Sequence, residues 1–109
     1  MNRVALVIGN SEYLNIGKLN NPKNDANDIA SILGKLNFDV EKVIDADLLD
    51  IQRSVNKFLQ ALDEYAVGLF FYAGHGMQID GKNYIVPVDL KLGDKSRRLL
   101  LFCYVTTGQ

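Results

Sequence analysis

The one histidine of the chain, His75, stands between two glycines as Gly74-His75-Gly76, directly after the apolar run from Val67 to Ala73. An imidazole is the side chain best suited to carry a proton near neutral pH. The flanking glycines suit the same chemistry, because they let the backbone approach a substrate closely and leave a main-chain N–H free to bind an oxyanion. Two further polar residues fall where they could join the histidine. Asn10 closes the apolar run Val4 to Ile8, and Asp25 lies in the first turn of the helix fed by the loop after Asn10. Each also has a plain structural reading: a lone histidine is often structural or simply exposed, Asp25 suits a helix-start carboxylate facing the helix dipole, and Asn10 suits a turn. A dinucleotide fingerprint and a phosphate-binding P-loop are both absent.

These residues must be positioned by the elements around them. Val4 to Ile8 is a continuous aliphatic run ended by Gly9-Asn10, the pattern of a parallel strand covered on both faces. Ser11 to Asn21 is a polar loop, after which Pro22 can occupy the first position of a helix with Asn21 as its cap. Ala26, Ile29, Ala30, Leu33 and Leu36 recur at helical spacing, and Asn37 stands where a left-handed residue closes a helix. Phe38 to Ile44 reads as a second strand. Asp45, Asp47 and Asp50 then cluster at the start of a second helix with the apolar stripe Leu48, Ile51, Val55, Phe58, Leu59 and Leu62. Val67 to Ala73 is the third strand. Met77 to Ile79 and Lys82 to Val86 flank Asp80-Gly81, a pair suited to a type I′ hairpin turn, and Pro87 ends the hairpin. Right-handed crossovers give an α/β sandwich whose parallel sheet has the order two-one-three. In such a sheet ligands bind beyond the carboxyl ends of the strands, where strand order reverses, here between strands one and three. Leu99 to Val105, after the polar segment Gly93 to Arg98, could form a fourth strand.

The bulk properties limit the alternatives. At 109 residues the chain is one domain or part of one. With 48% hydrophobic residues, 23% charged and a net charge of -1, the composition is neither that of a disordered chain nor that of a nucleic-acid binder. A single cysteine, Cys103, cannot make an internal disulfide, and the first apolar run is too short for a signal peptide or a membrane span. The cytoplasm is the default location, with no cofactor, metal, nucleic acid or membrane implied.

Four segments carry a resemblance: Arg3-Val4-Ala5-Leu6-Val7-Ile8-Gly9-Asn10, Leu19-Asn20-Asn21-Pro22-Lys23-Asn24-Asp25-Ala26, Phe70-Phe71-Tyr72-Ala73-Gly74-His75-Gly76 and Asn83-Tyr84-Ile85-Val86-Pro87-Val88-Asp89. In this order they resemble the landmarks of the caspase, metacaspase and paracaspase family, bacterial members above all, over about residues 3 to 89. The resemblance implies a caspase-like three-layer sandwich and a cysteine endopeptidase that hydrolyses peptide bonds of protein or peptide substrates. His75 then matches the catalytic histidine and Gly76 the backbone oxyanion donor. Asp25 matches an acidic residue that helps form the pocket for a substrate arginine or lysine in metacaspase-like members.

The segment 90–109 departs from the pattern. In caspases the histidine lies about 50 residues before the nucleophile, which would fall near position 125. Cys103 is 28 residues past His75, between Phe102 and Tyr104, where a cysteine suits a small buried hydrophobe better than a thiolate. The expectation is therefore a truncated caspase-like domain, inactive alone, that needs a missing C-terminal half or another protein chain. The alternative is a non-catalytic interaction module or pseudoprotease that keeps the caspase-like shape.

Overall fold

Strand β1 (Arg3–Gly9) is fully buried from Ala5 to Gly9, because each of its faces meets a different layer. Ala5 and Val7 pack with Ala26 and Leu33 of α1 (Pro22–Lys35), whereas Leu6 and Ile8 pack with Ala46 and with Ile51 of α2 (Leu48–Ala61). This is why the run is apolar at every position rather than at alternate ones. A computed structural model describes residues 2–65 and 67–91. Strands β2 (Phe38–Ile44) and β3 (Val67–Ala73) pair with β1 in parallel, one on each side, giving the expected order β2-β1-β3. Register places Gly9 opposite both Ile44 and Ala73, so all three strands end at one level. The two helices on opposite faces complete the three-layer sandwich.

Beyond β3, strands β4 (Gly76–Ile79) and β5 (Lys82–Ile85) form a separate antiparallel hairpin. Its turn residues Asp80 and Gly81 have φ of 52° and 79°, the positive pair that a type I′ turn requires. A third cluster lies under the carboxyl ends of the strands. Tyr13 of the loop after β1 is buried there with Val86, Val88 and Leu90, and Leu14 N–H donates to the Val88 carbonyl at 3.0 Å.

Several local expectations change. Asn21 holds the cap position of α1 but its side chain caps nothing; its backbone is already helical, and the Ser11 hydroxyl accepts the Lys23 N–H at 3.0 Å instead. Asp47 and Asp50 form a reciprocal capping box on α2, whereas Asp45 stands outside the helix at φ 58°. The Asp45 carboxylate accepts the N–H groups of Ser11 and Glu12 at 2.9 and 3.0 Å. Leu36 and Leu59, read as members of apolar stripes, are about half exposed because they lie at the rims of those stripes, whereas Ser54 is buried. Asn37, at φ 67°, closes α1 as expected. The Leu99 to Val105 strand and Cys103 lie outside the described residues.

Candidate active site

Three chain segments are drawn together at the carboxyl end of the sheet, and Asn10 is the fastener. Its side chain is fully buried: Oδ1 accepts the Ala46 N–H at 2.7 Å, and Nδ2 donates to the Ala46 and Val86 carbonyls at 3.3 and 3.2 Å. Every polar atom of the amide is occupied, so Asn10 does not face a substrate alongside His75. It ties the end of β1 to the β2–α2 turn and to the strand leaving the hairpin.

His75 follows the end of β3 and is half-buried against the loop after β1. Its Nε2 lies 2.8 Å from the Gly17 carbonyl oxygen. A carbonyl only accepts, so Nε2 carries a proton, and in the neutral ring Nδ1 is then the nitrogen with the lone pair. The ring packs edge-on against Tyr13, with centroids 4.6 Å apart and planes at 60°. The imidazole is thus a proton acceptor at Nδ1, steadied by a carbonyl on its opposite side.

The main chain around it is held by two tyrosines. His75 N–H donates to the Tyr13 hydroxyl at 2.9 Å, and the Tyr72 hydroxyl donates to the His75 carbonyl at 2.6 Å. The hydroxyls are 3.0 Å apart, and Tyr13 can also donate to the Val86 carbonyl at 3.1 Å. Burial pushes both phenols above the ordinary tyrosine range, with the neighbouring Tyr13 adding to the rise at Tyr72. Gly74, at φ 157°, has no room for a side chain: a Cβ would stand 2.7 Å from the Tyr13 hydroxyl and closer still to that of Tyr72.

Gly76 pairs with Ile85, and the neighbouring Val86 N–H donates to the His75 carbonyl at 3.2 Å. Antiparallel ladders alternate hydrogen-bonded and non-bonded pairs, and this places Gly76 at a non-bonded position with its N–H turned away from β5. A groove of about 470 Å³ beside it is lined by Tyr72, Gly74, Gly76, Met77, Tyr84 and Ile85 among others. Asp25 is exposed in the first turn of α1, with its N–H bonded to the Asn21 carbonyl at 2.9 Å. Among the described residues no hydrogen bond or ion pair joins it to His75. Nor, among them, does any group of His, Cys, Asp and Glu stand close enough to hold a metal. No described helix is long and apolar enough to cross a membrane.

Tyr13, Tyr72 and the Gly17 carbonyl were not foreseen from the sequence. Tyr72 stands inside an apolar strand and reads as core, Tyr13 reads as a loop aromatic, and a backbone acceptor has no residue signature.

Comparison with known proteins bears on the same segments. The caspase-domain family matches residues 2–104. The human mucosa-associated lymphoid tissue lymphoma translocation protein 1 and its mouse homolog are each 38% identical over 87 residues, 80% of this chain. Those residues amount to 11% and 10% of the two relatives, so the chain spans about a tenth of the length of the curated relatives it matches. With the glycine-flanked histidine held at the strand-order reversal of a β2-β1-β3 sheet, and the match running over most of its length, the chain belongs to the caspase-domain family.

Proposed function

We propose that the chain carries the histidine half of a cysteine-peptidase site, in which His75 takes the proton of a cysteine thiol and returns it to the leaving amine. The observation that carries this reading is the pairing of Nε2 with the Gly17 carbonyl, which leaves Nδ1 as the free base. The Gly76 N–H, turned away from the hairpin, supplies an oxyanion donor. We assign the thiolate to a cysteine other than Cys103, because the apolar neighbours of Cys103 suit a buried hydrophobe. The 109-residue chain alone is then expected to leave peptides intact. The cytoplasm, where a lone thiol stays reduced, is the setting that fits.

Substrate preference follows from Asp25, which we place in a pocket for a substrate arginine or lysine, as in the metacaspase-like branch. Its exposure leaves the carboxylate free to meet a cation. A charge-assisted hydrogen bond there favours the basic residue by about 1.5–3 kcal/mol. The test is to fuse residues 1–91 to the C-terminal half of a close relative and to assay arginine, lysine and aspartate peptides. His75→Ala is expected to lower turnover roughly 10²–10⁴-fold, and Asp25→Ala to erase the preference for basic residues. An active fusion that prefers aspartate, or keeps its preference without Asp25, removes the pocket assignment. A fusion indifferent to His75→Ala removes the catalytic reading. That last result would support a non-catalytic module instead, a reading favoured by the outer edge of β3, which pairs with no further strand among the described residues and where Val67 is 38% exposed.

A further inference from the structure

We propose that the hydroxyls of Tyr13 and Tyr72 form a positioning pair that fixes both the imidazole of His75 and the direction of the Gly76 N–H. The role deepens the peptidase reading above, and neither tyrosine touches the reacting atoms.

The hairpin ladder shows why the pair is needed. His75 stands opposite Val86 at a position where an antiparallel pair would exchange two backbone hydrogen bonds. Only one is made directly, from Val86 N–H to the His75 carbonyl at 3.2 Å. In place of the other, the Tyr13 hydroxyl is inserted: it accepts His75 N–H at 2.9 Å and lies 3.1 Å from the Val86 carbonyl, to which it can donate. The insertion joins the histidine's main chain to the loop after β1 as well as to the segment leaving the hairpin. The tyrosine ring then lies edge-on to the imidazole and limits its rotation, with Nε2 at the Gly17 carbonyl.

Tyr72 acts on the next peptide group. Its hydroxyl grips the His75 carbonyl at 2.6 Å, with Val86 N–H as a second donor. That carbonyl and the Gly76 N–H belong to one planar trans peptide, so they point in opposite directions. Holding the carbonyl inward therefore aims the N–H outward. The absence of a side chain at Gly74 keeps room for both hydroxyls.

The test reads His75 directly in the 109-residue chain by NMR, as the single histidine gives an unambiguous imidazole signal. Tyr13→Phe keeps the ring and deletes the acceptor. The hydrogen-exchange protection of the His75 amide is expected to fall about tenfold or more relative to that of Val7 in β1, and the Nε2–H tautomer to lose its dominance. Tyr72→Phe should leave the His75 amide protected and shift the Gly76 amide resonance most. A purely structural tyrosine would lower the protection of His75 and Val7 together, and that outcome overturns the proposal. In the unsubstituted chain, a nuclear Overhauser contact between the Tyr13 ring protons and the His75 amide is expected, and its absence overturns the proposal even if the variants do not fold. No turnover enters these readouts, so a failed fusion assay leaves this test intact, and the reverse also holds.

Discussion

Replacing Asn10 by alanine is the sharpest perturbation of the frame around the histidine. Three hydrogen bonds disappear, but they are unequal. The Ala46 carbonyl keeps the Val88 N–H at 3.0 Å and the Val86 carbonyl keeps the Tyr13 hydroxyl at 3.1 Å, so these two losses cost about 0.5–1 kcal/mol each. The Ala46 N–H is different: its partner at 2.7 Å is Asn10 Oδ1, Ala46 is fully buried, and an orphaned donor there costs about 1–3 kcal/mol. The expected loss is about 2–5 kcal/mol. With a slope of about 2 kcal/mol/M in urea, the midpoint followed by circular dichroism falls by roughly 1–2.5 M. Asn10→Asp extends the test, since a carboxylate oxygen would replace a donor that lies 3.3 and 3.2 Å from two carbonyl oxygens. Burial and repulsion would raise the folded carboxyl's pKa above its unfolded value. The folded state then binds the extra proton, so the Asn10→Asp chain is most stable at acid pH and loses stability as pH rises above about 4. An Asn10→Ala midpoint within about 0.3 M of the parent, or an Asn10→Asp chain as stable at neutral pH as the parent, would refute the fastener role.

Gly74→Ala should destabilise the chain by more than about 2 kcal/mol in thermal melts, because the added methyl meets both tyrosine hydroxyls and the backbone cannot retreat from φ 157°. Asp47→Ala removes the acceptor for Asp50 N–H at 2.8 Å and should cost about 1 kcal/mol by urea titration, leaving the Nε2 resonance of His75 in place. Alkaline pH should weaken the fold through Tyr13 and Tyr72. Their raised pKa values make the folded chain bind more protons than the unfolded one, so stability is complete below about pH 10 and declines as pH rises beyond it. Tyr72→Phe should flatten that decline when urea midpoints are compared across the range.

The strands and helices were legible because each announces itself over several residues. Val4 to Ile8 is apolar at every position, which only a strand covered on both faces tolerates, and Asp80-Gly81 names its own turn. His75 stands out for the same reason: it follows the abrupt end of such a run. What stayed hidden depends on long-range pairing. Asn10 looks like a turn residue until the Ala46 and Val86 segments arrive, and Ser11 caps a helix that begins eleven positions later, in place of the adjacent Asn21. The Gly17 carbonyl and the Tyr13 hydroxyl serve His75 across separations of 58 and 62 residues, with no spacing rule to mark them.

The Asn10 amide also sets an order of events during synthesis. Its last acceptor, Val86, is 76 residues further along, so the buried amide cannot be satisfied until nearly the whole described chain has left the ribosome. Closing so long a loop is a late step, repaid only once the distant contact forms. A chain that ends within the hairpin lacks the Val86 peptide groups, so Asn10 Nδ2, the Tyr13 hydroxyl and the His75 carbonyl each miss one partner. The tie between the end of β1 and the segment after the hairpin therefore waits for residue 86, whereas the Gly17 carbonyl and the Tyr13 hydroxyl that hold His75 come earlier in the chain.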